Sequence, residues 1–147
     1  MLLFTAGCGD GDHDTLTKEE WITRAEAVCA DMIAQEEEIA EPESPEDMAA
    51  GADQIAEITR TGIDELETLP APEGDEDAVA EILAAFDDLA DAGVDFLDAV
   101  VESGSLEDMS GEVEAAFRDL EAMQRQATEI AEAYGLTGCF PSDEGNG

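Results

Sequence analysis

Basic side chains are almost missing from this chain. Its 147 residues hold one lysine (Lys18), four arginines and one histidine (His13), against forty aspartates and glutamates, for a formal net charge of −35. Contact with nucleic-acid phosphates needs clustered Lys and Arg, so nucleic-acid binding is excluded. Docking on anionic lipid through a basic patch is excluded for the same reason. Aromatics are also scarce, at 5% of residues. The core must therefore be aliphatic and rich in Ala, with less area buried per residue. No apolar run approaches the roughly 20 residues that a membrane span requires. No segment shows sustained apolar–polar alternation, so no sheet is expected. A second histidine, a Gly-x-Ser-x-Gly elbow and a phosphate loop are all lacking, so neither an enzyme nor a cofactor is expected. Charge at this level raises the question of disorder. The 44% of apolar residues answers it, because they recur at regular spacing in a chain long enough for one core.

That spacing is helical in four segments. The first opens at Thr17 with Glu20 three residues on, a capping-box pattern. Its apolar face reads Trp21, Ile22, Ala25, Val28, Cys29, Met32 and Ile39, interrupted only by Glu36, and Pro42 stops it. The second opens with Ser44 as N-cap and Pro45 at the first helical position. Its stripe is Met48, Ala52, Ile55, Thr59, Ile63, Leu66 and Leu69, ended by Pro70 and Pro72. The third runs from about Asp75 to Ser103, with Gly104 as the stop. The fourth begins at Ser105 or Ser110 and ends at Tyr134, with Gly135 as the residue after the cap. Short connections favour antiparallel neighbours. The expected fold is all-α: an antiparallel up-down-up-down four-helix bundle over residues 17–141. Residues 142–147 read as a disordered tail, and a monomer is expected.

Ahead of the bundle, Thr5-Ala6-Gly7-Cys8 resembles a lipobox, the site where bacterial lipoproteins are cleaved and lipidated. Small residues before the cysteine admit the peptidase, and the freed thiol of Cys8 would carry the lipid. Thr5 stands where a leucine-like residue is usual. The apolar stretch is shorter than a signal peptide, which suggests a start inside a longer one. Residues 9–16 read as a flexible acidic tether. The expected location is the outer face of the cytoplasmic membrane, with the membrane as partner through the lipid on Cys8.

Two cysteines remain. Cys29 sits about 16 Å along the first helix, and the five residues from Tyr134 to Cys139 can span about 17 Å. A bridge is within reach, and it would close a loop worth roughly 4 to 5 kcal/mol. The alternative is two independent thiols, one of them a small buried hydrophobe.

The opening Trp21-Ile22-Thr23-Arg24-Ala25-Glu26-Ala27-Val28-Cys29 and the close Tyr134-Gly135-Leu136-Thr137-Gly138-Cys139 resemble the small all-helical lipoproteins of actinobacteria. Leu69-Pro70-Ala71-Pro72 matches their proline-rich break before the third helix. The resemblance implies an envelope location and a Cys29–Cys139 disulfide. It implies no activity.

An acidic, lysine-poor surface suits high salt, where screening shortens the repulsion between carboxylates to about 3 Å at 1 M. The alternative function is divalent-cation buffering by carboxylate clusters. No metal site is assigned, however. Asp10-x-Asp12-x-Asp14 starts like a calcium loop, but Thr15 and Trp21 stand where Gly and Glu are needed. His13 reads as a solvated tether residue. Glu36 is the one carboxylate on an apolar stripe. The function expected is a non-catalytic interaction or ligand-binding module, with Phe86, Phe96 and Val101 of the third helix as the candidate apolar groove.

Overall fold

The computed structural model describes residues 15–104 and 111–140. Among them are four helices and no strand: α1 (Lys18–Glu37), α2 (Pro45–Thr68), α3 (Glu76–Ser103) and α4 (Gly111–Tyr134). The lipobox with Cys8, the tether up to Asp14 and His13 within it, the residues of the tail, and Ser105 and Ser110 as starts of the fourth helix lie outside the described residues.

The helix ends follow the local chemistry of the sequence. Thr17 accepts from the Glu20 backbone N–H, and Glu20 accepts in return from the Thr17 N–H at 2.9 Å. The bond from the Thr17 N–H, and then the Thr17 side chain, hold the Glu20 carboxyl below its ordinary value. Ser44 caps α2 through the Asp47 N–H at 3.1 Å. Gly104 and Gly135 take φ of +71° and +103°, which an L side chain rarely adopts. At Gly135 the stop is a full Schellman motif. The Leu136 N–H donates to Ala131 and the Gly135 N–H to Glu132. One boundary differs from expectation. α1 ends at Glu37, five residues before Pro42, and Ile39 lies beyond it half-buried. Glu36, Glu37 and Glu38 crowd the negative end of the helix dipole there, which shortens the helix.

Helices adjacent in sequence pack on one another, most extensively α3 with α4 and least α1 with α2. α1 and α4 have no close backbone approach; they meet through side chains. Trp21, fully buried, sets its ring edge-on to Tyr134 at 5.6 Å. Lys18 lies over the other ring of that pair, its Nζ 4.3 Å from the Tyr134 centroid. The Tyr134 hydroxyl donates to Asp75 Oδ2 at 2.8 Å, so Asp75 serves Tyr134 rather than capping α3. Burial, and then the Asp75 bond and charge, push the Tyr134 phenol well above its ordinary value.

Among the described residues, three buried ones lie outside the helices: Leu16, Pro72 and Leu136. Leu136 is buried completely. Leu16 precedes the α1 cap and Trp21 is the fourth residue of the helix, the positions of a hydrophobic staple. The core thus includes Leu16, which the reading of residues 9–16 places in the flexible tether.

Candidate functional site

The C-terminal segment after α4 folds onto α1. The Glu26 carboxylate accepts from the Thr137 N–H at 3.2 Å and from the Gly138 N–H at 3.0 Å. A Cβ at Gly138 would lie 3.0 Å from the Glu26 side chain, so glycine permits this approach. One residue on, Cys139 is bonded to Cys29, with the Cα atoms 5.0 Å apart. The pairing expected from reach and from the resemblance is present.

This disulfide forms part of the wall of a cavity of about 350 Å³. α1 contributes Met32, Ile33 and Glu36 beside Cys29. α2 contributes Ile55, Ala56, Thr59 and Ile63. α3 supplies the longest wall, from Phe86 through Leu89, Ala90 and Val94 to Leu97. α4 adds only Leu120, and Phe140 closes the C-terminal side. Phe86 and Phe140 meet edge to face at 5.3 Å. The volume falls within the range usual for small-molecule sites, and apolar walls with a few polar groups are their usual lining.

The sequence-level groove residues separate in space. Phe86 is buried and lines the cavity. Phe96 instead packs on Phe117 of α4, at 5.6 Å. Val101, half-buried in the last turn of α3, also stands outside the lining. The reason is angular. Ten residues along a helix fall roughly 80° short of a whole number of turns, so Phe96 faces the α4 side. Residues seven and eleven on from Phe86, Gly93 and Leu97, return to the cavity face. Phe140 had no periodic pattern to announce it; its signal is an aromatic directly after a half-cystine.

Glu36 is the one half-buried acid with a resolved shift. Loss of solvent around it raises its carboxyl above the ordinary 4.5. Its carboxylate has no hydrogen-bond or ion-pair partner among the described residues, where the sole ion pair is Glu114–Arg118 on the α4 surface. A folded-state value above the unfolded one favours the fold at low pH. That contribution is lost as pH rises through the folded value. Glu36→Gln is thus expected to be more stable than the parent near neutral pH. The gap should narrow as pH falls through the folded value of Glu36, read as the difference between urea midpoints. A gap that is constant with pH would deny Glu36 this cost.

Every helix carries acids in its first turn, and the last turns of all four lack a basic residue. Carboxylates thus dominate both ends of the helices, though only the N-terminal ones suit the dipole. Among the described residues no group of three or more His, Cys, Asp or Glu is placed to hold a metal ion. No described helix is long and apolar enough to cross a membrane.

The chain matches no family model, no curated protein and no solved structure.

Proposed function

We propose that this is a non-catalytic helical module of the cell envelope that receives an apolar small molecule in the cavity between α1, α2 and α3. The cavity carries the reading. A solvent-facing protein with an Ala-rich core gains nothing from leaving such a space open, and a ligand that fills it recovers the lost contacts. In this reading the helices run up-down-up-down. Support comes from Met32 beside Gly62 and Ile39 beside Gly51 for α1 with α2. Asp75 with Tyr134 and Phe96 with Phe117 support the same for α3 with α4. Lipid on Cys8 tethers the module to the outer face of the cytoplasmic membrane, and its acidic surface suits a salty exterior. The disulfide fits that exterior, since such bonds persist in oxidising compartments.

Decanol is the probe for the cavity. Calorimetric titration is expected to show one site per chain, abolished by Ala56→Phe, which fills the space from α2. Absence of saturable binding to the parent protein would sink the ligand reading. Intact mass of the protein recovered from its native envelope tests the tether separately. An unmodified Cys8 would remove the lipid anchor.

A further inference from the structure

Resting on the cavity reading above, we propose that the occupant is a cationic amphiphile, an alkyl chain ending in a protonated amine, with its ammonium seated at Glu36. The cavity is apolar within, but all but one of the charged groups that line it are carboxylates. Glu36 of α1, Asp64 and Glu67 of α2, and Asp87 and Asp91 of α3 all line it, against the single guanidinium of Arg60. Arg60 makes no ion pair with any of them. An alkyl carboxylate or sulfate would bring its charge into this ring of like charges, at a cost of desolvation and repulsion. An alkylammonium brings the complementary charge, with three donors and no acceptor.

Glu36 is the place for that head group. It interrupts the apolar face of α1, it lines the cavity half-buried, and its carboxylate oxygens have no partner among the described residues. It also stands in the last turn of α1, where the helix dipole adds negative potential. An ammonium there would satisfy a carboxylate that the protein itself leaves unpaired. The alkyl chain would lie along Ile33, Ile55, Ile63 and Leu89, toward the Phe86–Phe140 pair at the disulfide end.

A matched series separates head group from chain: decylammonium, decanol and decanoate, each titrated calorimetrically below its aggregation limit. The protein's forty carboxylates attract any cation at long range, so titrations are repeated at about 1 M NaCl, where the Debye length is about 3 Å. Decylammonium is expected to bind one-to-one and about tenfold tighter than decanol, with decanoate weakest. That preference should survive the salt. Glu36→Gln should bring decylammonium to the level of decanol while decanol itself binds as before. Equal binding of the two in the parent protein would overturn the head-group assignment. So would a preference that vanishes in salt or that persists in Glu36→Gln. In each of these cases the cavity reading stands. If none of the three probes binds, the cavity reading fails, and the assignment falls with it.

Discussion

Cys139→Ser is expected to lower the unfolding free energy by about 4–5 kcal/mol, the chain-entropy value for a loop of this size. The bond joins residues 110 apart, so it restricts most of the unfolded chain. In the folded state it is the covalent link between α1 and the segment after α4, beside the Trp21–Tyr134 ring contact. α1 and α4 do not approach closely, and α1 packs least well on its neighbour. The Glu26 bonds to Thr137 and Gly138 would remain, but they are exposed and replaceable by water. A loss of this size is a large part of the roughly 5–15 kcal/mol typical of a domain. Urea unfolding with and without reductant measures it. Reductant should shift the parent midpoint to that of the double variant Cys29→Ser with Cys139→Ser, and leave that variant unmoved. A parent midpoint indifferent to reductant would contradict the claim.

Trp21→Ala should cost about 3–5 kcal/mol, as is usual when a large aromatic is deleted from a core. Trp21 is completely buried, and its ring bridges the start of α1 to Tyr134 at the end of α4. Its indole Nε1 is buried without a hydrogen-bond partner among the described residues. The ring therefore contributes area and shape, and its donor is a small debit. Trp21→Phe should accordingly recover most of the loss, since it keeps an aromatic against Tyr134 and removes the unpaired N–H. Thermal melts followed by far-UV circular dichroism compare the three. An alanine variant within about 1 kcal/mol of the parent would mean that this end of the molecule is held by something else.

Much of this architecture was legible because it rests on local rules. The Thr17–Glu20 box, the Ser44 cap, and the glycine stops at 104 and 135 depend on residues within a few positions of each other, and each appears as read. The Cys29–Cys139 bond needed one non-local step, the reach of a short extended segment. The rest required partners that periodicity does not name. Leu16 and Leu136 sit just outside helices, so a helical stripe passes over them. Each is nonetheless the hydrophobic position that its capping motif calls for, which is a usable signal. Asp75, read only as the approximate start of the third helix, accepts from Tyr134, a residue 59 positions away. For the cavity, the candidate groove on α3 took Phe86, Phe96 and Val101 as one face, and of the three only Phe86 lines it. The direction of each depends on where α1, α2 and α4 stand, and that information is tertiary. Glu36 stood out from the start as a carboxylate on an apolar face, and its neighbours at the cavity edge, from α2 and α3, became visible only in three dimensions.

The same bond sets how this molecule responds to force. Pulled from its two ends, a chain can lengthen only where it is free to uncoil. The segment between Cys29 and Cys139 would otherwise pay out roughly 360–400 Å of contour. The cross-link replaces all of it with a span of 5.0 Å between Cα atoms. α2, α3 and α4 lie wholly inside that loop and feel no direct tension. The load instead runs through α1 from Lys18 to Cys29 and across the sulfurs. Shear in solution or a tug on either terminus would strip Lys18 and Trp21 from Tyr134 while leaving the three remaining helices and most of the cavity wall in place.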